Sequence, residues 1–73
     1  MRFFFDYTTK DESLFDYRGD DFRTPQGAID FAKATAQHLK DSLAGDWIGW
    51  QVEVRDAAGL KWGSVAVDTA EAA

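Results

Sequence analysis

RFFFDYTTKDESLFDYR, residues 2–18, contains the tripeptide FDY twice, at 5–7 and at 15–17. Both flanks are rich in aromatic and other strand-favouring residues and a polar run lies between them, so the stretch reads as two strands of an antiparallel hairpin. Side chains alternate along a strand. Phe3, Phe5 and Tyr7 therefore share one face, and Arg2, Phe4 and Asp6 take the other. Phe15 and Tyr17 are the matching aromatic pair in the second strand. Directly opposed residues lie on one face, so joining the two aromatic sets needs a loop with an odd number of residues. A Lys10-Asp11-Glu12 loop would set Asp6 against Asp16, two like charges. A Thr9-Lys10-Asp11 loop sets Phe5 against Phe15 and Phe3 against Tyr17, and this is the predicted register. Phe4 then stands opposite Asp16 with Leu14 diagonal to it, a small apolar patch on the second face.

After the polar connection Gly19-Asp20-Asp21-Phe22-Arg23, Thr24 and Pro25 read as the N-cap and first residue of a helix. From Pro25 to about Leu43, Ala28, Ile29, Phe31, Ala32, Ala36, Leu39 and Leu43 fall in one stripe at helical period, with Thr35 inside it. Its alanines let the helix lie close to a sheet, and Gly45 suits the left-handed position past its end. Trp47–Gly49 form a connection. Trp50, Val52 and Val54 then alternate with polar residues in a half-buried strand. Asp56-Ala57-Ala58-Gly59 suits a type I turn followed by a left-handed glycine, which places Val54 opposite Trp62. Trp62 has the opposite parity to Val65 and Val67, so a bulge near Gly63-Ser64 is needed if all three point inward.

The resulting order, ββαββ, is an α+β fold in which two antiparallel hairpins are joined by one long helix that packs on one face of a small sheet. Residues 1–68 form one domain and 69–73 a frayed tail. The predicted core is Phe3, Phe5, Phe15, Ile29, Phe31, Ala32, Leu39, Leu43, Val52 and Val54.

With this order in place, several features resemble a known family. R-F-F-F-D at 2–6, D-x-x-G-x-D-F at 16–22, the small-residue helix from Thr24, V-E-V-R-D at 52–56 after Gly49, and A-G-L at 58–60 are similar to a small single-domain bacterial family of unknown function. That family is common in rhizobia and related soil alphaproteobacteria. The chain departs from it at Thr9-Lys10, where the family often carries Asp-Gly, and at Trp50 and Trp62. The resemblance implies a fold and a bacterial origin, and no activity.

Composition narrows the function classes. In 73 residues, 45% are hydrophobic and 15% aromatic, which suits a packed globule with room for one core. There is no cysteine, so disulfides and thiolate metal sites are excluded. Thirteen acidic against eight basic residues give a net charge of −5, and no two basic residues adjoin. Nucleic-acid binding is unexpected on that ground, as is an anionic membrane surface. No apolar run approaches the roughly 20 residues that span a bilayer. The start does not read as a signal peptide, so the expected location is cytoplasmic.

Catalytic and cofactor signatures are sparse. His38, the only histidine, falls at the rim of the helical stripe, where packing on the sheet edge accounts for it. Ser13, Ser42 and Ser64 lie in no nucleophile context. Glu12, Asp16, Asp20 and Asp21 lack the spacing of a calcium loop and read as a solvated acidic turn. Trp47, Trp50 and Trp62 read as packing residues, with Trp47 at the core edge or against a partner. No catalytic, cofactor-binding or metal-ligating residue is assigned. The expected function is a non-enzymatic module that self-associates or binds a protein partner through the uncovered sheet face or edge, with Phe4, Leu14 and Trp47 as its interaction surface. The alternative is a small-ligand sensor or carrier with a pocket near Trp47 and Trp50.

Overall fold

Strand β1 (Arg2–Thr8) alternates as its sequence requires, with Phe3 and Phe5 buried on the face that meets the helix. It lies inside the sheet, and its longest partner is the distant β4 (Gln51–Asp56). Phe3, Phe5 and Tyr7 oppose Asp56, Val54 and Val52 on the inner face, while Phe4, Asp6 and Thr8 oppose Arg55, Glu53 and Gln51 on the outer one. β5 (Lys61–Ala66) flanks β4 and forms one edge. On the other edge β1 meets two short strands, β2 (Ser13–Leu14) and β3 (Asp20–Asp21). One helix, α1 (Pro25–Asp41), covers one face of this antiparallel sheet, which is the expected α+β architecture. The computed structural model describes residues 1–42 and 46–68.

The first hairpin differs from its predicted register. Its loop has four residues, Thr9–Glu12, because the Thr9 hydroxyl accepts from the amides of Asp11 and Glu12 at 3.2 and 2.9 Å, and the Thr9 amide donates to the Glu12 carbonyl at 2.8 Å. An even loop inverts the parity of everything after it. Leu14 therefore opposes Tyr7 on the inner face, and Phe5 does not meet Phe15. The strand then stops. Phe15–Gly19 leave the ladder, Phe15 and Tyr17 are exposed, and pairing resumes only where Asp20 opposes Phe3.

The helix begins as read, with the Thr24 hydroxyl accepting from the Gly27 amide at 3.1 Å and Pro25 in the first turn. Ala28, Ala32 and Ala36 are buried at a spacing of one helical turn, and the small side chains bring α1 close to Phe3, Val52 and Val54. Full burial of a ring such as Phe3 contributes about 1.5–3 kcal/mol. Ile29 and Leu39 pack at the margin of this core, and Val67 joins it. Phe15 and Phe31, predicted as core, are 55% and 43% exposed, although the Phe31 ring still lies 5.0 Å from that of Phe5. The helix ends at Asp41 with Ser42 as its C-cap, two residues short of the expected end near Leu43; Leu43, Gly45 and the expected tail 69–73 lie outside the described residues.

The second hairpin turns at Gly59, whose φ of +90° is the left-handed conformation expected there. The Asp56 carboxylate holds the turn by accepting from the amides of Ala58 and Leu60, both at 2.9 Å. The expected bulge is present and falls at Trp62, next to Gly63, so Val54 does not stand opposite Trp62 as predicted. Arg55 opposes Lys61 and Val54 opposes Gly63, which leaves Trp62 as the extra residue. Its indole Nε1 donates to Asp56 at 3.0 Å and its ring lies nearly perpendicular to that of Phe3 with centroids 6.5 Å apart, two contacts that hold the bulge at this position.

Candidate functional site

The outer face of the sheet is covered by its own side chains. Arg55 grips the Asp6 carboxylate with two hydrogen bonds of 2.8 and 3.0 Å, donates to the Asp16 carbonyl at 3.0 Å, and lies over the Phe4 ring. Asp6 is only 4% exposed. Its hydrogen bond raises the Arg55 pKa against the opposing effect of burial. Beside this pair Glu53 accepts from the Thr8 hydroxyl at 2.8 Å and pairs with Lys61 at 2.8 Å. The Lys61 hydrogen bond is the main reason the Glu53 pKa falls, and Glu53 in turn raises that of Lys61.

Between β2 and β3, the Asp16 carboxylate takes the place of a strand. Oδ2 accepts from the Phe5 amide at 3.1 Å, and Oδ1 accepts from the amides of Arg18 and Gly19 at 2.9 and 3.1 Å. The Asp16 amide donates to Asp6 at 2.9 Å, which ties the bridge to the outer-face network. Burial alone would raise the Asp16 pKa. The three amide hydrogen bonds and the charge of Arg55 outweigh it, so the pKa is lowered. Gly19 closes the arch at φ +70°, where a Cβ would lie 2.8 Å from the Phe3 carbonyl oxygen and 3.0 Å from the Phe4 ring.

Because the second strand breaks, a groove opens on the inner side of the sheet beside the helix. It has a volume of about 540 Å³ and is open to solvent. Phe5 and Tyr7 come from β1, Phe31 and Thr35 from α1, and Leu14, Phe15, Asp16 and Asp20 from the broken strand. Leu14, Phe15 and Phe31 are between 43% and 58% exposed, an apolar exposure gathered in one concavity.

The three residues expected to form an interaction surface lie in separate settings. Phe4 is half-buried on the outer face beneath Arg55 and against Gly19. Leu14 faces the opposite side, within the groove. Trp47 is half-buried between Tyr7 and Trp50, with ring centroids at 6.3 and 5.7 Å, and its buried Nε1 has no acceptor among the described residues. His38 is exposed in the last turn of α1, and Ser13 and Ser64 stand on opposite edges of the sheet. Among the described residues no set of three or more His, Asp or Glu side chains is placed to hold a metal ion, and no helix is long and apolar enough to cross a membrane. Strand alternation and the helical stripe missed the groove because they assigned Phe15 and Phe31, respectively, to the core. The signal that marks it is D-x-x-G at 16–19, an Asx turn with a left-handed glycine that cannot continue a strand.

The family described as Domain of unknown function (DUF6894) matches residues 2–68. The chain belongs to this family. No curated protein and no solved structure matches it. In this DUF6894 chain, the motifs that carried the resemblance hold the fold together. Arg2 pairs with Asp21 at 3.3 Å, Asp6 with Arg55, and Asp16 and Gly19 form the arch. Phe22 sets its ring against those of Phe3 and Phe5 at 6.3 and 5.7 Å, and Asp56 organises the last turn. Membership of DUF6894 brings no activity with it.

Proposed function

We propose that this DUF6894 protein is a non-enzymatic interaction module that takes a segment of a protein partner into the groove between α1 and residues 14–20. The observation that carries this reading is the convergence of Leu14, Phe15 and Phe31, all substantially exposed, on one concavity floored by Phe5. The recognition surface is thus the groove, and of the residues first singled out Leu14 belongs to it. The non-enzymatic part is supported by the outer face, whose charged side chains Asp6, Glu53, Arg55 and Lys61 are engaged with one another. Peptides selected against the protein from a displayed random library test the reading. They should lose binding on Phe15→Ser and keep it on Ser64→Arg at the far edge of the outer face. The opposite pattern, or no selection at all, contradicts it.

A second reading, a small ligand held near Trp47 and Trp50, is favoured by the buried Trp47 Nε1 with no acceptor among the described residues. A ligand accepting from that nitrogen would perturb tryptophan emission. A panel of aromatic acids and amides that leaves the emission unchanged removes this reading.

A further inference from the structure

The groove is built to be read through side chains. A partner strand adding to the outer edge of β1 would need the Phe5 amide, which already donates to Asp16, so a main-chain ladder cannot run past it. What the groove offers instead is the rings of Phe5, Phe15 and Phe31 together with Leu14. It is also open rather than enclosing, so a small molecule would keep more of its surface in water than bound ligands ordinarily do.

The charge of the lining selects among partner segments. It contains two carboxylates, Asp16 and Asp20, and no cation. Arg18, the one cation of the 14–20 stretch, is outside it. Asp16 is engaged with three backbone amides, whereas Asp20 is exposed on β3 and its carboxylate has no partner among the described residues. The loop leading into Leu14 adds the exposed Asp11 and Glu12 against one exposed cation, Lys10. Within the groove itself a segment bearing negative charge would meet only like charge. A second copy of the chain, itself at −5, would do the same.

We infer that the occupant is a cationic amphipathic segment of a partner protein, seating apolar side chains on Phe5, Phe15 and Phe31 and directing a Lys or Arg to Asp20. This deepens the proposed function and rests on it. The net charge of the chain would also steer such a partner toward the protein before contact.

Two synthetic peptides of equal length test the inference, both with leucines at positions i, i+3, i+4 and i+7, one flanked by lysines and the other by glutamates. Binding is followed by fluorescence anisotropy against the wild type, Asp20→Asn and Phe15→Ser, each first shown to be folded by its amide spectrum. The lysine peptide is expected to bind at least about tenfold tighter than the glutamate peptide, and to weaken as salt is raised to about 0.5 M. Asp20→Asn should weaken it about two- to fivefold, the range of one exposed ion pair. Phe15→Ser should weaken it by about tenfold or more. Equal binding of the two peptides overturns the cationic assignment while leaving the interaction reading intact. Failure of both peptides, while library peptides still bind in a Phe15-dependent way, has the same meaning. Failure of both peptides and of the library removes the interaction reading as well. A dimer in sedimentation velocity that Phe15→Ser dissolves makes a second copy the occupant and overturns the inference.

Discussion

Arg55 stands directly across the sheet from Phe4, its guanidinium carbon 4.7 Å from the ring centroid. Strand alternation separates Phe4 from Phe3 and Phe5, and a ring so placed would ordinarily await a partner. Here the cover comes from the same chain, because Arg55 is anchored by Asp6 and cannot swing away without leaving a buried carboxylate unpaired.

Replacing Arg55 by Met should therefore destabilise the protein by about 2–3 kcal/mol, below the range for a fully buried pair because Arg55 is 25% exposed. Urea unfolding measures it. Arg55→Lys should fall between the two, since an ammonium keeps the charge and loses the bidentate fork. Adding Asp6→Asn to Arg55→Met should recover part of the loss. A single-variant change within about 0.5 kcal/mol would show that the pair is not holding the outer face.

Gly19→Ala tests the arch. The substitution meets both the left-handed φ of +70° and a Cβ position 2.8 Å from the Phe3 carbonyl oxygen, a backbone atom that cannot turn aside. The conformational penalty alone is about 1–2 kcal/mol, and the close approach adds to it. Gly49→Ala provides the comparison, because its φ of +85° carries the first penalty with nothing within 4 Å. Thermal melts should rank Gly19→Ala well below Gly49→Ala, and equal melting temperatures would contradict the packing described.

Asp16→Ala should cost about 2–3 kcal/mol by leaving the Phe5, Arg18 and Gly19 amides without their acceptor. Hydrogen exchange locates the effect: the Phe5 amide should exchange much faster, while those of Val52 and Val54 follow the global stability alone. Unchanged protection at Phe5 would mean that another acceptor takes over.

Acid should loosen the same region. Asp16 and Glu53 hold their protons less tightly in the folded chain than at their ordinary pKa values of 3.8 and 4.5, so the unfolded state binds more protons and falling pH favours it. The stabilisation is complete above those ordinary values and is lost as pH falls through the lowered folded ones. Urea midpoints should be flat from about pH 6 to 7 with respect to these groups and drop below about pH 4.5. Asp16→Asn should flatten part of that drop, and a slope identical to the wild type would assign the acid response to other carboxylates.

The parts legible in the sequence are those decided within a few residues. Alternation along β1, the Thr24-Pro25 start of α1 and the Asp56–Gly59 turn each follow from local geometry, and each stands as read. The first hairpin escaped that logic because side chains bonded to backbone set its course: the Thr9 hydroxyl lengthens the loop by one residue, and the Asp16 carboxylate ends the strand. Leu14 consequently changed faces, and Phe15 and Phe31 moved from the expected core to a groove that exists only because the strand breaks. The neighbouring of β1 and β4 is likewise absent from any periodicity, since it joins segments that share no turn.

That last pairing bears on how the chain folds. Asp6 and Arg55 are 49 residues apart in sequence, yet they sit on adjacent strands at the middle of the sheet. Until β4 arrives the rings of Phe3 and Phe5 have only Phe22 and Phe31 as local cover, so a large loop must close before they meet the rest of the core. Such non-local pairing slows the search for the native state. During that interval Phe3, Phe4 and Phe5 lie together on a strand that lacks its longest partner, the segment of this molecule most in need of protection from its neighbours while it folds.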